Sequence, residues 1–397
     1  MNILVLNAGS SSLKFALYSI EASREQLLLS GIAEPLGGSE AYLTLKGDCE
    51  HGGSQRLSEP THAAAVELLL QLLHQRGLTA SASAHRVVHG GRSFTTPVLA
   101  DSGVVKVLAD LNELAPLHNP PAVTCLRAVL RAQPSLPAVL HFDTGFHAHM
   151  PPVAHRYALP PRLCLDGAVR RYGFHGISYQ WALGRLATSL ARTPAYPRLV
   201  MCHLGAGASV CAVFNGRSID TTMGFTPQEG LVMATRSGDV DPGLLLYLVN
   251  NRGYRAAELE HLLTRESGML ALSGISGDVR QLDAAAAAGS EPAQLALDIF
   301  AYRVRKTIGA YAAALGGLDA LLFTGGIGQN SSTMRIRITT GLQFLGINLD
   351  EPRNTMRAVD DLYQIGCEGA MVDIWVAAAN EELQMARDTI ALLSTRD

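Results

Sequence analysis

Long apolar runs are missing from this sequence, and no stretch approaches the roughly 20 residues that a membrane-spanning helix needs. The first residues also lack the basic region, apolar stretch and cleavage site of a secretory signal. Neither sign of charge is in excess, because 32 Lys and Arg residues stand against 35 Asp and Glu residues. Nucleic acids and anionic membranes are therefore not expected partners, and we expect a cytoplasmic protein.

Paired cysteine motifs are absent as well. The six cysteines are scattered, and none belongs to a Cys-x-x-Cys pair. Neither a structural zinc site nor a disulfide framework is indicated, so we expect buried free thiols. Charged residues make up only 17% of the 397 residues, whereas 48% are hydrophobic. A chain of this length and composition can bury two substantial cores, which suggests two or three domains.

Two strand–turn–strand patterns lie about half a chain apart. The first is MNILVLNAGSSSLKFALY at 1–18, with a polar tip at 7–12, and the second is LVMCHLGAGASVCAVF at 199–214, with a turn at 203–209. Glycine permits a tight turn, and serine hydroxyls, backbone N–H groups and a nearby lysine suit a phosphate. An ordinary serine-rich turn is the alternative for the first tip alone. The repetition predicts two related domains, each offering a turn to one ligand.

A third glycine turn indicates a nucleotide site, and a proline cluster indicates a domain boundary. LLFTGGIGQNS ends an apolar strand at 320–323 and leads into a helical pattern from Ser332, which favours a nucleotide site. Pro151, Pro152, Pro160 and Pro161 predict a rigid connector between domains. Domain boundaries are thus expected at 1–150 and 151–379, with a closing helix at about 380–397 packing back on the first domain.

Four charged or titratable residues stand at strand ends or in glycine loops of otherwise lightly charged segments. Arg86 precedes VVHGG, Asp143 follows a strand in HFDTGFH, His175 lies in RYGFHG, and Arg236 lies in ATRSGDVDP. Any one alone is better explained as a surface ion pair or a structural histidine. Their joint appearance argues for catalysis.

At this level of detail the sequence resembles the acetate kinases, in the acetate, propionate and butyrate kinase group of the actin-like ATPase superfamily. The resemblance covers essentially the whole chain and is carried by the motifs NAGSSSLKF at 7–15, HRVVHGG at 85–91, APLHNPP at 115–121, FDTGFH at 142–147, YGFHG at 172–176, MGFTPQEGL at 223–231, GGIGQN at 325–330 and NEEL at 380–383. It implies two duplicated actin-like, ribonuclease H-like α/β domains with an interdomain cleft. It also implies a homodimer whose interface and nucleotide-binding segments belong to the second domain.

The resemblance also implies the site residues. Asp143, His175 and Arg236 are implied to be catalytic. The acid is implied to contact Arg86, Val88, Leu117, Phe174 and Pro227. The nucleotide is implied to contact Ser10, Ser12, Lys14, His203, Leu204, Gly205, Ala206, Gly207, Asp278, Val279, Arg280, Gly326, Ile327, Gly328, Gln329 and Asn330. Asn7 and Glu381 are implied to bind Mg²⁺, or Mn²⁺ in its place. The alternative for Glu381 is that it is simply an acidic residue in the first turn of a helix, where carboxylates are favourable.

The implied reaction is a reversible transfer of phosphate from ATP to acetate, giving acetyl phosphate and ADP. A carboxylate is already ionised at pH 7, so the nucleophile needs charge neutralisation and alignment rather than a base. Arg86 can hold the acid and Arg236 the phosphoryl group, while His175 donates to an equatorial oxygen. The resemblance casts Asp143 as an acid/base residue. Because the forward reaction has no proton to remove, we expect Asp143 to orient an arginine or the histidine instead.

Three positions depart from the family pattern. Ala206 stands where HLGNG has asparagine, Gln329 where GIGEN has glutamate, and Ala234 where glycine is common. The loss of the asparagine donor predicts weaker ATP binding. Acetate is the expected acid, but one methylene is worth only roughly 1–3 kcal/mol, so propionate or another short-chain acid stays open. The alternative outside the enzymes is a non-catalytic actin-like ATP-binding protein. It would share the nucleotide-binding turns but would not need Arg86, Asp143, His175 and Arg236.

Overall fold

The computed structural model describes residues 1–21, 24–46, 53–116, 118–164, 167–191, 195–356 and 360–395. The chain divides into two compact units. Unit 1 comprises Met1–Ala148 and Asn380–Asp397, and unit 2 comprises His149–Ala379. Both units consist of a mixed β-sheet with helices packed against it.

Unit 1 is built on an eight-stranded sheet in the order β5-β4-β3-β2-β1-β6-β8-β7. Its strands are β1 (Asn2–Ala8), β2 (Leu13–Glu21), β3 (Arg24–Glu34), β4 (Tyr42–Lys46), β5 (Ser54–Arg56), β6 (Ala82–Val87), β7 (Val98–Leu99) and β8 (Ala138–Phe142). β1, β6 and β8 are parallel, and the other pairs are antiparallel. The carboxyl ends of the three parallel strands therefore meet at one edge of the sheet.

Four α-helices of the described residues belong to unit 1. They are α1 (His62–Gln75), α2 (Ser102–Asp110), α3 (Asn119–Ala132) and α14 (Glu381–Ser394). α1 is capped by Thr61, whose side chain accepts from the N–H of Ala64, and its buried stripe includes Leu69 and Leu73. α14 packs against β1, β2 and β6. The end of the chain is thereby brought beside its first strand.

Unit 2 contains a six-stranded sheet in the order β11-β10-β9-β12-β14-β13. Its strands are β9 (Arg198–Leu204), β10 (Ala208–Phe214), β11 (Arg217–Thr221), β12 (Ala320–Thr324), β13 (Leu362–Gln364) and β14 (Asp373–Ala377). β9, β12 and β14 are parallel, and the β9–β10 hairpin is antiparallel. The order β11-β10-β9-β12-β14 repeats the order β3-β2-β1-β6-β8 of unit 1, so the predicted duplication of the hairpin is confirmed.

The helices of unit 2 surround this sheet. They are α4 (Pro152–His155), α5 (Gly176–Ser189), α6 (Pro242–Arg252), α7 (Ala256–Arg265), α8 (Gly268–Ser273), α9 (Val279–Ala287), α10 (Glu291–Leu315), α11 (Gly325–Asn330), α12 (Ser332–Thr339) and α13 (Glu351–Thr355). The Ser290 side chain caps the start of α10, and Gly316, at φ 69°, ends the helix. It packs against β9 and β10.

Two predicted turns differ in the structure. The segment 325–330 is a short helix, α11, and not an open turn. Arg335 explains this, since its Nη1 donates to the carbonyl groups of Gly328 and Gln329 at 2.8 Å and so satisfies the end of the helix. The second hairpin turn is also tighter than predicted, because His203 and Ser209 are paired strand residues and only 205–207 form the tip.

Two composition-based expectations can be compared with the structure. Cys125, Cys202 and Cys211 are buried free thiols, whereas Cys164 and Cys367 are partly exposed, and Cys49 lies outside the described residues. No helix within the described part of the chain combines the length and apolar character needed to cross a membrane.

Candidate active site

Arg86 is the centre of a group of polar side chains in unit 1. It lies near the end of β6, and Asp143 follows the end of the neighbouring parallel strand β8. Asp143 is 1% exposed and accepts from Nε of Arg86 at 3.2 Å and from Nη2 at 2.6 Å. Nη1 donates to Oδ1 of Asn7 at 3.0 Å. Asp143 and Asn7 thus fix the guanidinium from two sides.

Glu381 joins this group from the first turn of α14. Its Oε2 lies 3.8 Å from Nε of Arg86. Burial raises the pKa of the Glu381 carboxyl to about 7, although the charge of Arg86 acts to lower it. Burial alone would lower the pKa of Arg86, but the carboxylates of Asp143 and Glu381 hold it above its ordinary value. The guanidinium therefore stays charged.

The first hairpin carries the predicted phosphate residues Ser10 and Ser12 at its tip and Lys14 near the start of β2. Its turn is closed by a hydrogen bond from the N–H of Gly9 to the carbonyl of Ser12, at 2.8 Å. Lys14 is exposed and is the strand partner of Asn7. Its charge acts on Glu381, which brings the hairpin into the electrostatic neighbourhood of the Arg86 group.

In unit 2, His175 occupies the position before α5 with a left-handed backbone, at φ 61° and ψ 21°. A left-handed conformation is uncommon for residues other than glycine and marks a constrained position. The imidazole is stacked on that of His203, with ring centroids 4.1 Å apart and an interplanar angle of 20°. Nδ1 lies 2.9 Å from Oγ of Ser209 on β10. The ring is therefore held on its face and on one edge.

His175 and Arg236 converge on Gly207 at the tip of the second hairpin. A Cβ atom placed on Gly207 would lie 3.3 Å from Nε2 of His175 and 3.7 Å from Nη1 of Arg236. Nη1 of Arg236 also donates to the carbonyl of Pro227, at 2.9 Å. Two donor groups thus face the backbone of a glycine turn, which is an arrangement suited to a phosphoryl group.

A cavity of about 670 Å³ lies beside this turn. Eight of the predicted nucleotide residues line it, namely Gly205, Ala206, Asp278, Val279, Arg280, Gly326, Ile327 and Asn330. The lining also includes residues that were not predicted to bind the nucleotide: Ala234, Gly277, Asp283, Ser331, Ser332 and Thr333. The other predicted nucleotide residues of this unit are not part of the lining: Leu204 and Gly328, which are buried, and His203, Gly207 and Gln329.

Of the four residues predicted to surround the acid's methyl group, the structure describes three. Val88 is half-buried in unit 1, and Pro227 is half-buried in unit 2. Phe174 is only 1% exposed. Leu117 lies outside the described residues.

Sequence reasoning did not single out the hydroxyl residues that hold the two stacked histidines. Ser178 lies 2.8 Å from Nδ1 of His203, Ser209 contacts His175, and Tyr179 lies 2.6 Å from Ser209. Serines and tyrosines in strands and helices carry no motif that separates them from ordinary core residues. Their role follows only from the packing of α5 against β9.

Comparisons with known proteins agree over nearly the whole chain. The sequence matches the Acetokinase family over residues 2–387. It is 43% identical over 403 residues to the acetate kinase of Methanosarcina thermophila, covering 100% of this chain and 98% of that protein. The crystal structure of Porphyromonas gingivalis acetate kinase matches with a TM-score of 0.91 at 38% identity, covering 99% of each chain. A propionate kinase from Francisella tularensis matches with a TM-score of 0.90 at 37% identity, covering 98% of each chain.

These structural matches confirm the predicted fold class of duplicated actin-like α/β domains. Sequence and structure lead to the same group of enzymes, and the matched region includes both hairpins and the whole of unit 2. The protein belongs to the acetokinase family.

Proposed function

We propose that this protein is an acetate kinase, which transfers the γ-phosphoryl group of ATP to acetate and forms acetyl phosphate and ADP reversibly. The observation that carries the proposal is the convergence of His175 and Arg236 on Gly207, beside the cavity of about 670 Å³. The family and the acetate kinases that the chain resembles support it.

The acid is proposed to bind to Arg86. Three of the five N–H groups of this guanidinium are directed to Asp143 and Asn7, which leaves one on Nη1 and one on Nη2 for a carboxylate. The Nε edge that offers the usual bidentate geometry is therefore occupied by Asp143. This contact supports the orienting role expected for Asp143, since an ionised acid needs no proton acceptor.

The migrating phosphoryl group is proposed to bind between His175 and Arg236. In-line transfer spreads negative charge over the equatorial oxygens, and fixed donors aimed at those oxygens lower the barrier. Nε2 of His175 and Nη1 of Arg236 are held before the reaction by Ser209 and by the Pro227 carbonyl. Such preorganisation avoids the cost of orienting the donors during the transfer.

The nucleotide is proposed to occupy the cavity lined by Ala206, Asp278 and Asn330, with its phosphates at the glycine turn. Asp278 forms an ion pair of 2.5 Å with Arg280, which is 90% exposed at its side chain. Ser10, Ser12, Lys14, His203, Gly207 and Gln329 stay predictions as nucleotide contacts. Val88, Leu117, Phe174 and Pro227 likewise stay predictions as the pocket of the acid's methyl group.

Asn7 and Glu381 are proposed to hold Mg²⁺ or Mn²⁺. Their amide and carboxylate oxygens suit a hard cation, and the half-buried carboxylate of Glu381, whose pKa is raised by desolvation, would gain from a counter-charge. Within the described residues there is no group of three or more His, Cys, Asp or Glu side chains that could hold a metal. This fits Mg²⁺, which keeps several waters and relies on few protein ligands. When bound, the ion would neutralise phosphate charge.

The metal proposal is tested by replacing Glu381 with Gln. We expect Glu381→Gln to raise the Mg²⁺ concentration for half-maximal activity by about tenfold or more, because a charged ligand is lost. Glu382→Gln on the same helix turn is the matched control. An unchanged Mg²⁺ dependence of the Glu381 variant would remove Glu381 from the metal site.

The protein is also proposed to act as a homodimer through α6. This helix has no buried residue, although its sequence PGLLLYLVNNR is largely apolar. Leu246 is 63% exposed, and Leu244, Tyr247 and Val249 are each more than 40% exposed. Several large apolar side chains exposed on one helix are typical of an interface. A second copy of the chain would bury it.

The activity is tested with a hydroxamate assay for acyl phosphate, using acetate, propionate and butyrate with ATP. We expect the highest turnover with acetate and a clear fall with each added methylene. Absence of acyl phosphate with every acid would favour the non-catalytic ATP-binding alternative. Because the propionate kinase matches this chain nearly as well as the acetate kinase structure does, a higher kcat/KM with propionate would assign the second candidate function.

A further inference from the structure

A chain of hydroxyl groups leads from His175 into the core of unit 2. Nδ1 of His175 lies 2.9 Å from Oγ of Ser209, and the same Oγ lies 2.6 Å from Oη of Tyr179. Ser209 and Tyr179 are both 0% exposed, so water does not compete for these hydroxyls. The opposite edge of the imidazole, with Nε2, is directed at the Gly207 backbone.

The direction of these hydrogen bonds follows from Tyr179. Burial raises the pKa of its phenol well above the ordinary value of 10, so the phenol keeps its hydrogen. Its oxygen also interacts with the backbone N–H of His203, which can only donate. Because this N–H can only donate, the phenol hydrogen is available for Oγ of Ser209, 2.6 Å away. If Ser209 accepts it, the Ser209 hydroxyl has its own hydrogen to donate to Nδ1 of His175.

We propose that Ser209 and Tyr179 are positioning residues that hold His175 in the tautomer whose hydrogen is on Nε2. A neutral imidazole carries one hydrogen, so an Nδ1 that accepts from Ser209 places it on Nε2. The consequence for catalysis rests on the proposed function. Only this tautomer can donate to a phosphoryl oxygen at the Gly207 turn, whereas the other would present a lone pair to it.

The stacked neighbour provides a matched control. His203 has the same kind of contact, since its Nδ1 lies 2.8 Å from Oγ of Ser178. Ser178 is also 0% exposed. Ser178→Ala therefore removes a buried hydroxyl of equal size from the same histidine pair, without touching the chain that ends at His175. It is expected to leave the tautomer of His175 unchanged.

The tautomer can be measured directly on the full-length protein labelled with ¹⁵N-histidine. Two-bond ¹H–¹⁵N correlation spectra distinguish a hydrogen on Nδ1 from one on Nε2, and the His175→Gln variant assigns the His175 signals. We expect the Nε2–H pattern in the wild type and in Ser178→Ala. Ser209→Ala is expected to show a mixture of both tautomers, and Ser209→Thr, which keeps the hydroxyl, to restore the wild-type pattern.

Kinetics provide the second readout. Ser209→Ala is expected to lower kcat by about tenfold, the effect of one lost hydrogen bond, with KM values for ATP and acetate within about twofold of the wild type. Tyr179→Phe should shift the tautomer in the same direction with a smaller loss of kcat. A merely structural role of Ser209 would lower the melting temperature without changing the His175 spectrum.

Two results would overturn the proposal. One is a wild-type spectrum with the hydrogen on Nδ1, whatever the activity, and the other is an unchanged His175 spectrum in Ser209→Ala. If Ser209→Ala does not fold, the spectrum of Tyr179→Phe decides, and an unaltered tautomer there contradicts the proposal. Absence of acyl phosphate formation in the wild type would refute the proposed function alone, because the spectrum does not depend on turnover.

Discussion

At the scale of single residues, Arg86 shows why residue type does not settle a role. A bidentate arginine could be expected to present its Nε edge to the acid. The structure gives that edge to Asp143, while Asn7 accepts from Nη1. The guanidinium is thus pre-oriented, and its remaining N–H groups face the acid in our proposal. A lysine would offer the same charge, but it lacks the planar set of N–H donors that contacts both Asp143 and Asn7.

We therefore expect Arg86→Lys to lower kcat/KM for acetate by about 100-fold, since both the orientation and one of the two contacts with the acid are lost. The hydroxamate assay with varied acetate measures this. Arg56→Lys is the control, because Arg56 forms only an exposed ion pair with Glu40. Activity of Arg86→Lys close to that of the control would show that charge alone suffices at this position.

A second residue-scale prediction concerns Ala206 in the wall of the nucleotide cavity. Its carbonyl accepts from the N–H of Ala234 at 3.1 Å, so the backbone is fixed and a longer side chain can project into the cavity. We expect Ala206→Asn to lower KM for ATP by about tenfold through a new hydrogen bond to the charged phosphates. Ala206→Asp has the same shape but carries a negative charge, and it should raise KM instead. Equal KM values for the two variants would contradict a phosphate contact here.

At the scale of elements, β6, β8 and α14 share a buried pair of histidines. Nε2 of His85 on β6 lies 3.0 Å from Oγ of Ser83, and Nε2 of His141 on β8 lies 2.9 Å from Oγ1 of Thr389 on α14. Burial lowers the pKa of His85 to about 3, and burial together with the charge of His85 lowers the pKa of His141 to about 3. Both rings are therefore neutral in the folded protein near pH 7.

This pair predicts acid-sensitive stability. Between about pH 3 and 6.5 the unfolded chain binds protons at both histidines that the folded chain does not, so the free energy of unfolding falls as the pH is lowered. His141→Gln keeps a polar partner for Thr389 but cannot titrate. We expect it to reduce the slope of the unfolding free energy by about 1.4 kcal/mol per pH unit once the pH is well below 6.5, as measured by urea denaturation between pH 7 and 4.5.

The control for the pH experiment is His74→Gln, which removes an exposed histidine from α1. Its slope should match that of the wild type. If His141→Gln also matched it, protonation of His141 would not contribute to acid unfolding.

Elements with local signals can be predicted from the sequence. Thr61 caps α1 and Asp241 caps α6, and such caps can be read from the sequence because capping depends on residues next to one another in the chain. The α11 segment was predicted as a turn because its glycines favour turns. It is helical because Arg335 donates to the carbonyl groups of Gly328 and Gln329, and no local sequence pattern predicts that contact.

At the scale of the whole molecule, α6 is an apolar helix that the described part of the chain does not cover. α6 is capped by Asp241 at its start and is followed by Gly253, yet none of its side chains is buried. Helices normally gain their stability from packing an apolar face, so a helix of this kind requires a partner surface. A second copy of the chain is the partner that we propose.

We expect the wild type to sediment as a dimer and Leu246→Asp to shift the equilibrium strongly towards the monomer, because a charge would be buried in an apolar interface. Analytical ultracentrifugation over a range of protein concentrations measures this shift. Val153→Asp is the matched control, since Val153 is 93% exposed on α4. A monomeric wild type, or a dimer insensitive to Leu246→Asp, would exclude α6 as the interface.

The sequence by itself determined the family, the duplicated strand–turn–strand motif and the identity of Arg86, Asp143, His175 and Arg236 as candidate residues. These conclusions follow from short motifs and from hydrophobic periodicity, both of which depend only on residues close together in the sequence. Only the tertiary structure decided that Asp143 holds Arg86, that Glu381 lies half-buried beside them, and that Ser209 and Tyr179 support His175. The physical reason is that these contacts join strands and helices far apart in the chain, where burial and hydrogen-bond direction depend on packing.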